Sequence, residues 1–374
     1  MGRTRSVAFK PDSHQLAAAY SSGDLRLWRI DSGQEPIPSA IKATGIGNVC
    51  AAVAVSMDGK WIVTGGSRNK VIVWSADIHR IAVEISEHTD YVSAVDVSSD
   101  STRIASGSQD HTVRIFNIIS GVRVVLPLQH KGLIVGVKFS PDGSRIATAA
   151  LSQPIGIYDS CSGDELFDIP IQVNYAPITP LAWSSDGRQL FIGTLGKITS
   201  FDTRTSSCSE WPTQIGSNYW NSIVTYGQFI ACSAGTSVSF WDYTSHQQIG
   251  TIINHATVVD CISISHDGRY LACGHVRGIT VHNLGGFLPH EYLRAGRVSW
   301  VPLMQVREVV LQSWALGNLV DAASILSEEV SQCSNPSHYS LAARSLIRAQ
   351  LRELDAANED AERVTFSSPQ CTHI

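Results

Sequence analysis

The chain carries 13 histidines and 8 cysteines, the side chains most often used as metal ligands or as a base–nucleophile pair. The densest group is Cys261, His266, Cys273, His275 and His282. Structural zinc sites space their ligands at short, regular intervals, and these spacings match no such pattern. The residues fall instead on three alternating stretches and a turn. They read as buried thiols and strand imidazoles, with no metal implied. His88, His130 and His255 each stand ahead of an apolar stretch and read as inter-strand residues rather than general bases. There is no GxSxG elbow, Walker loop or HExxH helix. Gly45-Ile46-Gly47 lies between two strands and opens no helix, so no dinucleotide cradle follows. Neither a cofactor nor catalysis is expected.

Composition narrows the field further. Hydrophobic residues make up 43% of the 374 and charged residues 16%, which excludes a disordered, charge-rich chain. A net charge of −5 lacks the basic surplus of a nucleic-acid binder. No apolar run approaches the roughly 20 residues of a spanning helix, so no membrane is expected. The cysteines (50, 161, 208, 232, 261, 273, 333 and 371) form no CxxC pair, and no secretory core is present. They read as reduced thiols in a cytoplasmic or nuclear protein. Met1-Gly2-Arg3-Thr4-Arg5-Ser6 fits a myristoylation pattern, but Ser6 already begins a strand. Cys371-Thr372-His373-Ile374 has the outline of a prenylation box without its aliphatic pair.

What must position any site is a repeat. Aspartates recur in turns at Asp12, Asp58, Asp100, Asp142, Asp186 and Asp267, with Tyr226-Gly227 filling the one missing slot. A bulky residue follows each turn: Trp28, Trp74, Phe116, Tyr158, Phe201, Trp241 and His282, at intervals of 40 to 46 residues. Two landmarks therefore give the same seven units. Within each, apolar and polar residues alternate with period two, as in Val113-Arg114-Ile115-Phe116, which is the signature of a half-buried strand. A strand precedes the turn, a small-residue strand such as Ile146-Ala147-Thr148-Ala149 follows it, and a third carries the bulky residue. A fourth is expected over Ile81–Ile85, Val122–Leu126 and Glu165–Ile169. Four antiparallel strands per unit, stacked radially, bury both faces of each sheet.

Ser140 to Asp159 (SPDGSRIATAA…GIYD) and Ser108 to Phe116 (SQDHTVRIF) resemble WD-repeat β-propellers. The resemblance implies a mainly-β fold, a seven-bladed propeller of four-stranded antiparallel blades over residues 1–304. It also implies a hydrogen-bonded tetrad of His, Ser/Thr, Asp and Trp in each blade. Only the third unit comes near it, with His88, Ser106, Asp110 and Phe116 in the Trp place. At the Asp place the others hold Ser22, Arg68, Ser152, Leu195, Gly235 and Val276. The chain enters directly at an inner strand, Ser6–Phe9. The seventh outer strand is therefore expected in Phe287–Leu293 or Val298–Leu303, unless the sequence begins mid-repeat.

The function implied is a non-enzymatic scaffold or adaptor that binds other proteins or peptides. Candidate contacts precede the inner strands: Asn48, Asp90, Lys131, Tyr175, Trp220 and Thr257, the two aromatics foremost. Phe201-Asp202-Thr203-Arg204 resembles the WDxR ending of propellers that serve as substrate receptors of cullin-RING ubiquitin ligases; only Arg204 adds information there. The starts of the inner strands (Ser6, Ala51, Ala94, Gly136, Leu181, Ile223 and Asp260) are mostly small or apolar, which counts against a catalytic channel.

From about Gln305 the period changes to 3.6. Asp321-Ala322-Ala323 recurs as Asp355-Ala356-Ala357, Glu328 as Glu362 and Val330 as Val364. The 34-residue offset resembles tetratricopeptide (TPR) motifs, giving a helical segment over 305–366 with a groove for partners, and a disordered tail over 367–374. Two such repeats bury too little to stand alone, so the segment is expected to pack on the propeller or a partner. Limited proteolysis should therefore not release residues 305–374 as a stable, soluble helical fragment.

Overall fold

The computed structural model describes residues 2–30, 41–42, 49–173, 181–194, 196–213 and 222–295; the helical segment expected over 305–366 lies outside them. The described chain forms seven antiparallel sheets. The inner strands are Thr4–Phe9, Cys50–Val55, Val92–Val97, Ile134–Phe139, Leu181–Trp183, Ile223–Tyr226 and Val259–Ile264. Each packs against the next, and the last packs against the first, closing a seven-bladed propeller. No helix among the described residues is long and apolar enough to cross a membrane.

The core is divided as the repeat requires. Seven buried clusters each span two adjacent blades. Between the third and fourth, for example, Val113 and Ile115 meet Ile134, Val137 and Phe139. Gly107 permits this approach, since a Cβ there would lie 2.4 Å from Cγ2 of Ile134.

The aspartate turns fix strand register. Ser140 Oγ donates to Asp142 Oδ1 (2.5 Å) and accepts from the Arg145 N–H (2.9 Å), while Asp142 Oδ1 accepts from the Ser144 N–H (3.0 Å). Gly143, at φ 71°, takes the left-handed position that this turn needs. Ser56/Asp58, Ser98/Asp100, Ser184/Asp186 and Ser265/Asp267 repeat the pair. Burial alone would raise the pKa of Asp142, but hydrogen bonds from Ser140 and Ser144 and the nearby Arg145 hold it below the usual carboxylate value. The turns also link blades. Arg103 donates to the Gly143 carbonyl (2.9 Å) and lies over Phe139, and Arg145 donates to the Gly187 carbonyl (2.8 Å) and lies over Trp183.

Two outer strands differ from expectation. In the third blade, Val122–Leu126 is not a strand; Arg123 makes a single bridge to Phe116, and the fourth strand is Leu128–Gln129. Asn117 accepts from the N–H groups of Ile119 and Ser120, an Asx turn after which the Asn117 N–H donates to the Val122 carbonyl (2.8 Å) and the Val124 N–H to the Ile115 carbonyl (2.8 Å) without a continuous ladder forming. In the seventh blade three strands are described. Phe287–Leu293 is no strand: Leu284–Gly286 is a 3-10 turn capped by Asn283, and His290–Ala295 is an α-helix. Pro289 lacks an N–H for a ladder but is tolerated ahead of a helix. Leu284 and Leu288 are buried with Phe240, and Tyr292 Oη donates to Asp242 (3.0 Å), so the segment is tied to the sixth blade. The alternative, Val298–Leu303, lies outside the described residues.

Among the described residues, closure is made by contacts between the first and seventh blades. Val7, Phe9, Leu16, Ala18 and Tyr20 pack with Cys261 and Ala272. Arg3 grips the Asp260 carboxylate with two N–H groups, one at 2.7 Å. Thr4 Oγ1 donates to the Gly278 carbonyl (3.0 Å), and the Asp267 N–H to Ser13 Oγ (3.2 Å). Asp260 is almost wholly buried whereas Arg3 is half exposed, so removing the cation strands a buried carboxylate. Arg3→Ala should cost about 1–3 kcal/mol in urea unfolding, with a coupling to Asp260→Asn above ~1 kcal/mol. Coupling near zero would mean that the pair contributes nothing to closure.

Candidate functional site

Among the described residues, one polar constellation has the composition of a hydrolase triad. His88 Nδ1 lies 2.7 Å from Asp110 Oδ2, and His88 Nε2 lies 2.7 Å from Ser106 Oγ. Thr112 Oγ1 (2.6 Å) and the N–H of Thr89 (3.0 Å) also donate to Asp110. Burial alone would raise the pKa of Asp110, yet these bonds bring it down to about 2. An ionised Asp110 makes Nδ1 the donor, leaving Nε2 to accept from the Ser106 hydroxyl. Burial outweighs the aspartate's pull and lowers the pKa of His88, so the ring is neutral at pH 7. Ser106 has no solvent exposure, so no substrate carbonyl reaches it. The chain is a structural clasp joining a loop to two strands. Phe116, fully buried beside it, has no N–H to offer; in the second blade Trp74 Nε1 does donate to Thr64 Oγ1 (3.0 Å).

Strand register shows which residue replaces Ser106 elsewhere. Phe116 pairs with Ile104, two residues before Ser106. The same rule gives Ala18, Thr64, Thr148, Ile192, Cys232 and Cys273 in the other blades. The fourth blade keeps His130 edge-on to Tyr158, ring centroids 5.6 Å apart, and Nε2 of His130 is buried without a partner. Burial lowers its pKa to about 4.

The seventh blade is the most altered. His255 stands in the His place, Cys273 in the Ser/Thr place and His282 in the Trp place. One ligand atom from each lies within 4.8 Å of the other two. Nε2 of His255, Nε2 of His282 and Nδ1 of the neighbouring His275 are all buried without a hydrogen-bond partner. Each such orphan costs about 1–3 kcal/mol. Burial, followed by the two neighbouring imidazoles, lowers the pKa of His255 to about 4, and burial lowers that of His282. The sequence grouping of Cys261, His266, Cys273, His275 and His282 omitted His255. The signal that finds it is the tetrad register, not spacing along the chain. Cys261 instead faces the first blade and His266 the turn face, near Met57.

Among the candidate contacts, Asp90, Lys131 and Thr257 lie in loops that lead into inner strands, on one face of the ring. Asp90 and Lys131 are exposed on adjacent blades, and Thr257 is half-buried. Asn48, Tyr175 and Trp220 lie outside the described residues. Arg204 is exposed in the turn after the third strand of the fifth blade, its N–H bonded to Asp202 Oδ1 (2.8 Å). Asp260, at the start of an inner strand, is occupied by Arg3.

Sequence reading passed over an apolar rim. Ile119, Val122, Val124 and Leu126 are exposed, Leu126 by 78%, as are Ile78 and Ile81 on the outer side of the second blade. Gly121, at φ 68°, lets this loop lie against the outer strand of the second blade: a Cβ there would lie 2.6 Å from Val83 Cγ1. Residues expected to hide one face of an outer strand sit instead in an irregular loop that faces water.

Residues 44–75, 80–117 and 246–278 match the family model of the WD domain, G-beta repeat. These repeats and the seven-bladed propeller together support the WD-repeat family, whose propellers are in general protein-interaction scaffolds.

The lowered imidazoles set the acid response. The unfolded chain takes up protons near pH 6.5, whereas folded His130 and His255 resist until about pH 4. Stability present above pH 6.5 should thus be lost as the pH falls toward 4. The contribution of Asp110 should then be lost as the pH falls through about 2. Urea midpoints measured from pH 7.5 to 4 should fall steadily, and less so for His130→Gln; a flat profile would contradict the assignment.

Proposed function

We propose that the protein is a non-enzymatic scaffold that holds other proteins through the outer rim of its second and third blades and the loops ahead of its inner strands. The observation that carries this is the exposed row Ile119, Val122, Val124 and Leu126 beside Ile78 and Ile81. Contiguous exposed apolar surface marks interaction sites in soluble proteins. Here it sits in a fold whose apolar blade faces are packed against neighbouring blades. Asp90 and Lys131 give the loop face charges for orienting a partner. The triad-like group and the carboxylate at the start of the seventh inner strand are spent internally: Ser106, His88 and Asp110 on one another, and Asp260 on Arg3.

A second reading, substrate receptor of a cullin-RING ubiquitin ligase, has the exposure of Arg204 in its favour. One experiment separates the two. The full chain and three variants are affinity-purified from cells, with partners quantified by mass spectrometry. Val122→Asp/Leu126→Asp should keep the unfolding free energy within about 0.5 kcal/mol, as surface changes do, while losing partners at least tenfold. Asp90→Ala/Lys131→Ala should weaken a subset. Loss of a ligase adaptor confined to Arg204→Ala would favour the receptor reading. An unchanged partner set in the rim and loop variants would refute the scaffold surface.

A further inference from the structure

We propose that the seventh blade holds a zinc-class divalent cation between His255, Cys273 and His282, in the place where other blades keep a hydrogen-bonded clasp. Geometry carries the inference. Cys273 and His282 sit diagonally on one face of paired strands, because Cys273 opposes Thr280 and His282 opposes Leu271. His255 closes over them from the loop ahead of Val259–Ile264, its ring 5.0 Å from that of His282 and nearly perpendicular. The three ligand atoms lie within 4.8 Å of one another. In a tetrahedral zinc site, bonds of about 2.0–2.3 Å place ligand atoms roughly 3.3–3.8 Å apart. The pocket thus needs to contract by about an ångström, within reach of side-chain rotation.

The donor chemistry fits. Two imidazoles and one sulfur suit a borderline-soft ion and not calcium or magnesium, which take oxygens. His255 Nδ1 lies 3.4 Å from Thr280 Oγ1, a contact that tightens into the outer-shell hydrogen bond that orients a ligating histidine. That leaves Nε2, which is buried and unpartnered, as its ligand atom, and His282 presents a buried, unpartnered Nε2 as well. Binding takes the Cys273 proton to solvent and leaves a thiolate on the metal. Three protein ligands leave the fourth position to water.

The substitutions that remove the ligands also restore ordinary blade residues, so loss of folding does not cloud the test. Cys273→Ser gives the type found at Ser106, and His282→Trp the type found at Trp74. The full-length protein, stripped by chelator and then titrated with cobalt(II), should bind one equivalent with a thiolate-to-cobalt charge-transfer band that zinc abolishes. Zinc should raise the melting temperature of the wild type only. Cys273→Ser should lose the band, and His282→Trp should weaken binding at least 100-fold, with both circular dichroism spectra unchanged. A band that persists in folded Cys273→Ser would assign the metal to another of the chain's eight cysteines and overturn the proposal. So would a folded wild type that binds no cobalt.

Discussion

Every sheet in this molecule is apolar on both faces, and everything else follows from the need to cover both. A lone four-stranded blade cannot do so, and an open stack would leave two faces wet. Only a ring removes the problem, and the seven interblade clusters show it removed evenly, one per junction. At about 25 cal/mol per Å² of buried apolar surface, these junctions outweigh any single polar network. The ring is thus a packing solution first, and its hydrogen-bonded features are free to vary.

That freedom shows in the place Ser106 occupies in the third blade. The same register position holds alanine, threonine, isoleucine and cysteine elsewhere without loss of the blade. Trp28, Trp74 and Trp241 find different acceptors, Tyr20, Thr64 and Ser239. Where the position turned apolar, as at Ile192, the interface simply gained core. Where it became Cys273 beside two histidines, it gained unpaired donors and acceptors that hydrophobic packing does not satisfy.

The repeat was legible because it rests on local chemistry. Asp142 after Ser140, or Val113 alternating with Arg114, specifies a turn or a strand with no knowledge of what lies across the ring. Features that depend on distant segments were not legible. Val122–Leu126 alternates like a strand, yet it meets the third strand only around a single bridge at Arg123, and the ladder resumes at Leu128–Gln129. Phe287–Leu293 is apolar enough for an outer strand, but Gly285, Gly286 and Pro289 favour a turn and a helix docked on the sixth blade. The grouping of His255 with Cys273 and His282 depends on cross-strand register, which spacing along the chain conceals. His88, Ser106 and Asp110 could be named from the family pattern, but only their burial distinguishes a clasp from a reactive centre.

Among the described residues the seventh blade shares no strand with the first; the two meet through side chains around Val7, Phe9, Tyr20, Cys261 and Ala272. During synthesis the face bearing Val7 and Phe9 emerges first, and the residues that shield it emerge some 250 positions later. At about 5–20 residues per second, that surface stays bare for roughly 13–50 s on the ribosome. Such an interval invites holdase chaperones, and it makes the amino-terminal blade the point where a stalled nascent chain would begin to aggregate.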